Sequence, residues 1–275
     1  MTTTAEPGKG APRWFLETVE IPAPAQTLLE QYSGLAPDEV VPHVTDLRAR
    51  AFQVWPYPCI GQLTFLRLIL AGHPAYAEVL SRLKSGHSFL DAGCCLGQDL
   101  RKLLFDGAPS SSPMYGLDIE PAFFDLGYEL FRDRDKMHAT FITADLTKES
   151  VPSIESFGSS MDIISANGLL HLFNLEDQKT VARHLVRLTK PRAGSMIIGL
   201  QIGSMEAGER QRRSADTSHY LHNLESFDSF WQDVGTATGS KWKVEAKAEK
   251  TPDSAGNQSW SMPDTMVLVF TVKRE

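Results

Sequence analysis

Two hydrophobic periods divide the chain. From about Trp14 to Leu83 apolar residues recur at helical spacing, and Tyr76, Val79, Leu80 and Leu83 fall at i, i+3, i+4, i+7 on one helix face. The run Phe52-Gln-Val-Trp-Pro-Tyr-Pro-Cys-Ile-Gly61 interrupts that pattern. Pro56 and Pro58 push the residues before them toward extended backbone, so an aromatic-rich loop is expected between two helical groups. After Gly86 short β-like runs appear at 88–92, 113–118, 139–143, 161–166 and 195–202. Between the first two, Leu96, Leu100, Leu103 and Leu104 sit at i, i+4, i+7, i+8, and Phe123–Phe131 and Asp177–Leu188 are read as helices in the same way. Strands alternating with helices indicate βαβ units and a parallel sheet. Lys241–Glu249 and Thr265–Lys273 read instead as an antiparallel pair. The pattern predicts an α/β domain from about residue 85 behind an N-terminal helical cap.

Composition narrows the class. Hydrophobic residues make up 42% and charged residues 22% of the 275, which is ordinary for a globular chain. A net charge of −7 argues against a general nucleic-acid binder. No apolar run approaches the ~20 residues that span a bilayer. The best run, Leu63–Leu70, is short and contains Arg67. Residues 1–12 are small, polar and rich in Gly and Pro, which predicts a disordered tail and no secretory leader. Cys94 and Cys95 are adjacent and Cys59 is distant, a spacing that makes neither a disulfide framework nor a metal cluster. The expectation is a cytoplasmic protein with structural thiols, no membrane and no metal.

The strongest chemical signal is Phe89-Leu-Asp-Ala-Gly-Cys-Cys-Leu-Gly-Gln-Asp99. An apolar strand ends in Asp91, and Gly93 and Gly97 precede a helix. Such a turn lets a ligand approach the backbone, at the carboxyl end of a parallel sheet where ligands bind. The run is not GxGxxG, which weakens a pyrophosphate reading. Asp118 closes the second predicted strand, 21 residues beyond Gly97, where a carboxylate can take both ribose hydroxyls. Asp145 closes the third, where it can accept from an exocyclic amine. Each aspartate alone also suits a turn or a helix cap. Three acids at three successive strand ends are harder to assign to turn chemistry.

These residues resemble the class I S-adenosylmethionine-dependent methyltransferases, over about Ser88 to Lys273. The resemblance implies a Rossmann-like, seven-stranded, mostly parallel sheet with an antiparallel last strand, and methyl transfer from a sulfonium. It implies donor-binding roles for Asp91, Gly93, Cys95, Gly97 and Gln98 in the turn and for Asp118 at the ribose. Asp145 would meet the adenine, Ile119 and Leu146 would flank it, and Asn167 would stand next to the sulfonium. The family usually carries glycine at the position of Cys95. A closer resemblance is to fungal methyltransferases of meroterpenoid and related polyketide pathways. It rests on Gly93-Cys-Cys-Leu-Gly-Gln-Asp-Leu-Arg101, Tyr115-Gly-Leu-Asp-Ile119, Gly127-Tyr-Glu-Leu-Phe-Arg-Asp-Arg134, His171-Leu-Phe173, His222-Asn-Leu-Glu-Ser-Phe227 and the Trp-Pro-Tyr-Pro stretch near 55. Several members methylate a carboxylic acid, so the resemblance implies a methyl ester on a polyketide-type or aromatic small molecule. It also implies a homodimer. The implied organisation is a tail at 1–13, a helical cap at 14–85 contributing to the substrate pocket, and a donor-binding domain at 86–275.

Acceptor chemistry decides what else is needed. A carboxylic acid with a pKa of about 4 is already ionised at neutral pH and needs only positioning, whereas a phenol near 10 needs a base. His171, after the fourth strand, either orients the acceptor oxygen, acts as base on a phenol, or caps the next helix. Gln201 and His222 bound a predicted loop, 201–222, that would overhang the acceptor. Arg210, Arg212 and Arg213 in it either attract an anion or form a solvated surface. Trp55 and Tyr57 either wall the pocket or pack the cap. The competing classes are a nicotinamide-dependent oxidoreductase, since Asp118 also suits that ribose, and a non-catalytic scaffold.

Overall fold

The computed structural model describes residues 15–16, 18–211, 217–250 and 264–275. The predicted tail at 1–13, and Trp14, lie outside them. The chain begins with helices α1 (Ala23–Gln31), α2 (Val40–Val54) and the single turn α3 (Pro58–Gly61), followed by 3-10 turns at Thr64–Arg67 and Ile69–Gly72 and by α4 (Tyr76–Lys84). Strand and helix then alternate through β1 (Phe89–Ala92), α5 (Gln98–Phe105), β2 (Met114–Asp118), α6 (Ala122–Phe131), β3 (Thr140–Thr143), the single turn α7 (Pro152–Glu155) and β4 (Ile163–Ser165). A 3-10 turn at Leu170–Leu172 leads to α8 (Leu175–Leu188) and β5 (Met196–Ser204). The chain ends with β6 (Gly208–Gln211), β7 (Ser218–Leu221), α9 (Leu224–Thr238), β8 (Trp242–Lys250) and β9 (Thr265–Arg274).

Seven strands form one sheet in the order β3-β2-β1-β4-β5-β9-β8. β9 runs antiparallel to both β5 and β8, and every other pair is parallel. The order reverses between β1 and β4, which opens the crevice where such sheets take ligands. Asp91 on β1 stands in register with Ser165 on β4 at that point.

Apolar packing explains the layers. Leu90, Ile164, Ile197 and Phe270 pack with α8 and α9, while Phe89, Ile163 and Ile198 pack on the opposite face with Val79 and Leu83 of α4 and Leu100 of α5. A third cluster joins the N-terminal helices to the sheet domain, with Leu28, Val44, Leu47 and Ile60 packed against Leu96, Phe123 and Phe131. Local signals set the ends of the longer helices. The Asn174 side chain accepts the Asp177 N–H to start α8, and Asn223 and Ser226 form a reciprocal cap on α9, which ends at Gly239 with φ of 62°.

Three expectations are corrected. The break predicted at 52–61 shrinks to Trp55–Tyr57, because α2 runs through Val54 and Pro58 opens α3, the first helical turn being a position where proline is tolerated. Leu96 precedes α5 and lies in the turn before it. The loop predicted at 201–222 is not a loop throughout. Residues 201–204 extend β5, and β6 pairs with β7 as an antiparallel ribbon. Its polar, weakly alternating residues concealed those strands from a hydrophobicity reading.

Candidate active site

The turn after β1 is built from alternating left-handed residues. Gly93, Cys95 and Gly97 have φ of 78°, 52° and 68°. Gly93 and Cys94 donate their N–H groups to the Leu117 carbonyl at 2.7 and 2.9 Å, which anchors the turn to β2. A Cβ on Gly97 would lie 2.5 Å from an Arg101 nitrogen, so a side chain here would have to displace the guanidinium as well as adopt a left-handed backbone angle. Cys95 adopts the glycine-like conformation with a side chain present. Its thiol hydrogen-bonds that of Cys59 in α3, and this contact together with burial raises the Cys95 pKa.

Asp118 closes β2, nearly buried, and its Oδ2 accepts the Cys95 N–H at 2.8 Å while Oδ1 accepts the Glu120 N–H at 3.1 Å. Burial raises its pKa, and these backbone donors oppose the rise. Asp91 is pushed up to about 7, first by burial and then by the Asp118 charge, against a hydrogen bond from Ser165. Asp99, in the first turn of α5, is raised by burial and by Asp91, and accepts the Leu70 backbone N–H. The Asp99 Oδ1 and the Gln98 Oε1 are buried with no hydrogen-bond partner. Ser165 also accepts from Asn167 Nδ2 at 3.1 Å, and Asn167 Oδ1 accepts the Leu200 N–H at 3.1 Å. One polar chain therefore crosses β1, β4 and β5 at their carboxyl ends. Ser165 and Asp99 escaped the sequence reading; the Asp91-to-Asp99 spacing across the turn was the available signal for Asp99.

The other predicted residues fall in distinct settings. Asp145 lies two residues beyond β3, and its Oδ1 accepts from the Thr147 N–H at 3.0 Å and hydroxyl at 2.6 Å, as a turn-forming aspartate does. Ile119 is exposed, whereas Leu146 packs inside with Val151 and Ile154. His171 lies in the 3-10 turn after β4, and the helix cap is made by Asn174 instead. Gln201 is 1% exposed, and neither of its polar side-chain atoms has a hydrogen-bond partner. His222 is buried with both ring nitrogens bonded, to Ser226 Oγ at 3.0 Å and Gln178 Oε1 at 3.1 Å. Trp55 is exposed and stacks on half-buried Tyr57 at 5.4 Å between ring centroids. Arg210 is engaged by the Glu206 carbonyl at 2.9 Å and Asp264 at 3.4 Å; Arg212 and Arg213 lie outside the described residues.

These carboxylates and orphaned acceptors fit a ligand that brings positive charge. Burying ionised carboxylates without a cation is costly, and among the described residues the groups acting on Asp91 and Asp99 include no lysine or arginine. The ammonium and sulfonium of S-adenosylmethionine meet that need, whereas the pyrophosphate of a dinucleotide would be repelled. The sheet order and this turn together define a Rossmann-like methyltransferase.

Comparison with known proteins agrees. A family described as the meroterpenoid methyltransferase N-terminal domain matches residues 14–66, and a methyltransferase domain matches residues 90–194. The chain is 40% identical to the O-methyltransferase phiE of a fungal species (strain ATCC 74256), over 82% of this chain and 75% of that protein. It is 38% identical to the O-methyltransferase atr3 of Stereocaulon alpinum, over 97% and 77%. It is 36% identical to the Asnovolin E/Chermesin D methyltransferase nvfJ of Aspergillus novofumigatus, over 81% and 80%. Among solved structures, the N-terminal domain of EvdMO1 with SAH bound has the same fold, with a TM-score of 0.54 at 11% identity over 84% of this chain and 97% of that one. The chain belongs to the fungal secondary-metabolite O-methyltransferases, and S-adenosylmethionine is its methyl donor. Among the described residues no helix is long and apolar enough to cross a membrane.

Proposed function

We propose that the chain forms a methyl ester on a carboxylic acid of a polyketide-type, meroterpenoid-type or aromatic small molecule. The supporting observation is the Gln201 amide on β5, three residues past the last register of that strand with β4, buried with both polar atoms unbonded. A buried amide left without partners is costly, which favours a ligand that supplies them. An amide N–H can orient a carboxylate oxygen but cannot remove a proton, so it suits an acceptor that arrives ionised. Membership of a family that includes carboxyl methyltransferases supports the same reading.

The donor supplies an electrophilic methyl group on sulfur. Asp91 and Asp99 would hold its ammonium, the turn at Gly93–Gly97 would receive its methionine end, and Asp118 would take its ribose hydroxyls. Ile119 would flank the base and Asp145 would accept from its amine through Oδ2, the oxygen that faces Lys148 at 3.6 Å. His171 and Gln201 orient the acceptor oxygen, and Trp55 with Tyr57 covers the apolar body of the acceptor. Alignment and approach distance then provide much of the acceleration. A very tight charged clamp on the carboxylate would stabilise the ground state instead, so neutral donors are the better arrangement.

The test is turnover of methyl-labelled donor with a panel of aromatic acids, aliphatic acids and phenols, followed by mild alkali. Release of the label as methanol identifies an ester. Label retained after alkali identifies an ether or carbon-linked methyl and overturns the carboxyl reading, with His171 then required as base for a phenol.

A further inference from the structure

Two of the strings that carry the family resemblance contain charged residues with no role in the site described above, Arg101 and Asp133. The fold brings them together. Both side chains are fully buried and form a two-point ion pair, Nε to Oδ2 at 2.8 Å and Nη2 to Oδ1 at 3.0 Å. The third nitrogen, Nη1, donates to the carbonyls of Leu96 at 2.8 Å and Gly97 at 3.3 Å. Tyr32, just after α1, donates its hydroxyl to Asp133 Oδ2 at 2.8 Å. Burial and the Asp133 charge raise the Tyr32 pKa, which keeps that hydroxyl a donor. A Cβ on Gly127 of α6 would run into the Leu96 carbonyl oxygen, so the approach behind the turn is closed by shape.

A buried ion pair is a weak source of net stability, because desolvation offsets the attraction. Its planar fork does fix direction. With two nitrogens held by Asp133, the third is aimed at the turn. The Leu96 carbonyl shares a peptide plane with the Gly97 N–H, and the Gly97 carbonyl shares one with the Gln98 N–H. Holding the two carbonyls therefore fixes the peptide planes that lead from the turn into α5, together with the Gly97 N–H that donates to the Cys94 carbonyl at 2.8 Å.

We infer that Arg101 is a positioning residue for methyl transfer, oriented by Asp133 and, from the N-terminal helices, by Tyr32, so that it sets the backbone against which the donor's methionine end lies. This rests on the donor site proposed above. It predicts that the N-terminal helices influence donor binding without touching the donor.

Calorimetric binding of S-adenosylhomocysteine to the full chain tests it, alongside thermal unfolding of the ligand-free protein. Arg101→Lys keeps the charge and loses the fork, and affinity is expected to fall by about tenfold or more, as a displaced contact surface would cause. Tyr32→Phe removes one hydroxyl that acts on the donor site only through Asp133 and Arg101, and should weaken binding by about threefold to tenfold, the range of one ordinary net hydrogen bond. Trp231→Phe, in the core on the other side of the sheet, controls for stability and should lower the melting temperature with affinity unchanged. Wild-type affinity in Tyr32→Phe and Arg101→Lys, with binding lost in Asp118→Ala, would overturn the inference and leave the donor site standing. Wild-type affinity in Asp118→Ala would remove the donor site itself. If Arg101→Lys does not fold, Tyr32→Phe decides.

Discussion

The Cys95 backbone N–H donates to Asp118 Oδ2 at 2.8 Å, and this bond ties the turn after β1 to the end of β2. Asp118 thus shapes the turn with one oxygen and the start of the following loop with the other. Asp118→Asn keeps an acceptor oxygen for the Cys95 N–H, whereas Asp118→Ala leaves that N–H unpaired. Urea denaturation should find the alanine variant less stable than the asparagine variant by about 1–3 kcal/mol. Both should bind S-adenosylhomocysteine more weakly than wild type. Equal stability of the two variants would show that the bond does not hold the turn.

Cys95 has φ of 52°, a region that glycine enters freely and β-branched residues avoid. Cys95→Gly should fold and retain donor binding, since it relaxes the backbone while losing only the thiol contact. Cys95→Val should lose about 1–3 kcal/mol of stability through backbone strain and bind the donor poorly. Parallel unfolding and binding curves check both. A valine variant equal to the glycine variant would remove backbone conformation as the reason.

Much of the fold is legible in the residues, and the reason differs by element. β1 to β5 are short apolar runs bounded by turn residues, and α5, α6 and α8 keep their leucines or phenylalanines on one face, so period alone finds them. β6 and β7 carry Glu209, Arg210, His219 and Tyr220, whose mixed polarity gives no such period. α9 has a clear start at Asn223 and a clear stop at Gly239, signals that its aromatic-rich interior obscured. In the site, the acids at the ends of β1 and β2 are visible because they punctuate apolar runs. The Arg101–Asp133 contact is not, since the partners are 32 residues apart and meet only through packing. Leu146 illustrates the opposite difficulty: an apolar residue beside a strand end is equally suited to a ligand and to the core, and here it packs in the core.

Asp91 links donor binding to pH. Its folded pKa stands near 7, raised by burial and by Asp118, and Asp99 is raised with it. Because the folded pKa lies above the unfolded one, this site favours folding at low pH and loses that contribution as pH rises through about 7. The donor's ammonium favours the ionised carboxylate, so binding releases a proton near neutrality. S-adenosylhomocysteine affinity should therefore rise from pH 6 to pH 8 by up to about tenfold for the proton that Asp91 releases. Asp91→Asn should weaken binding and flatten the dependence. A wild-type affinity independent of pH over that interval would contradict the raised pKa.

His222 gives the opposite sign and concerns stability. The Gln178 amide nitrogen donates to the Phe173 and Tyr220 carbonyls at 2.9 and 2.8 Å, which leaves its Oε1 as the acceptor facing His222 Nε2. The Nε2 therefore carries the proton, and Nδ1 accepts from Ser226 Oγ. Burial pushes the His222 pKa from 6.5 down to about 4, so the folded protein holds a neutral ring. The contribution is complete above pH 6.5 and is lost as pH falls toward 4, where the unfolded chain binds the extra proton first. His73, also lowered by burial, acts in the same direction, so His222→Gln should remove only part of the acid sensitivity. At pH 8 the same substitution should cost about 1–3 kcal/mol by disturbing the Gln178 and Ser226 bonds. Denaturant midpoints at pH 8, 6.5 and 5 measure both effects. An unchanged acid slope in His222→Gln would show that this ring does not titrate on unfolding. A rise in acceptor KM at wild-type stability would place His222 at the acceptor instead of beneath it.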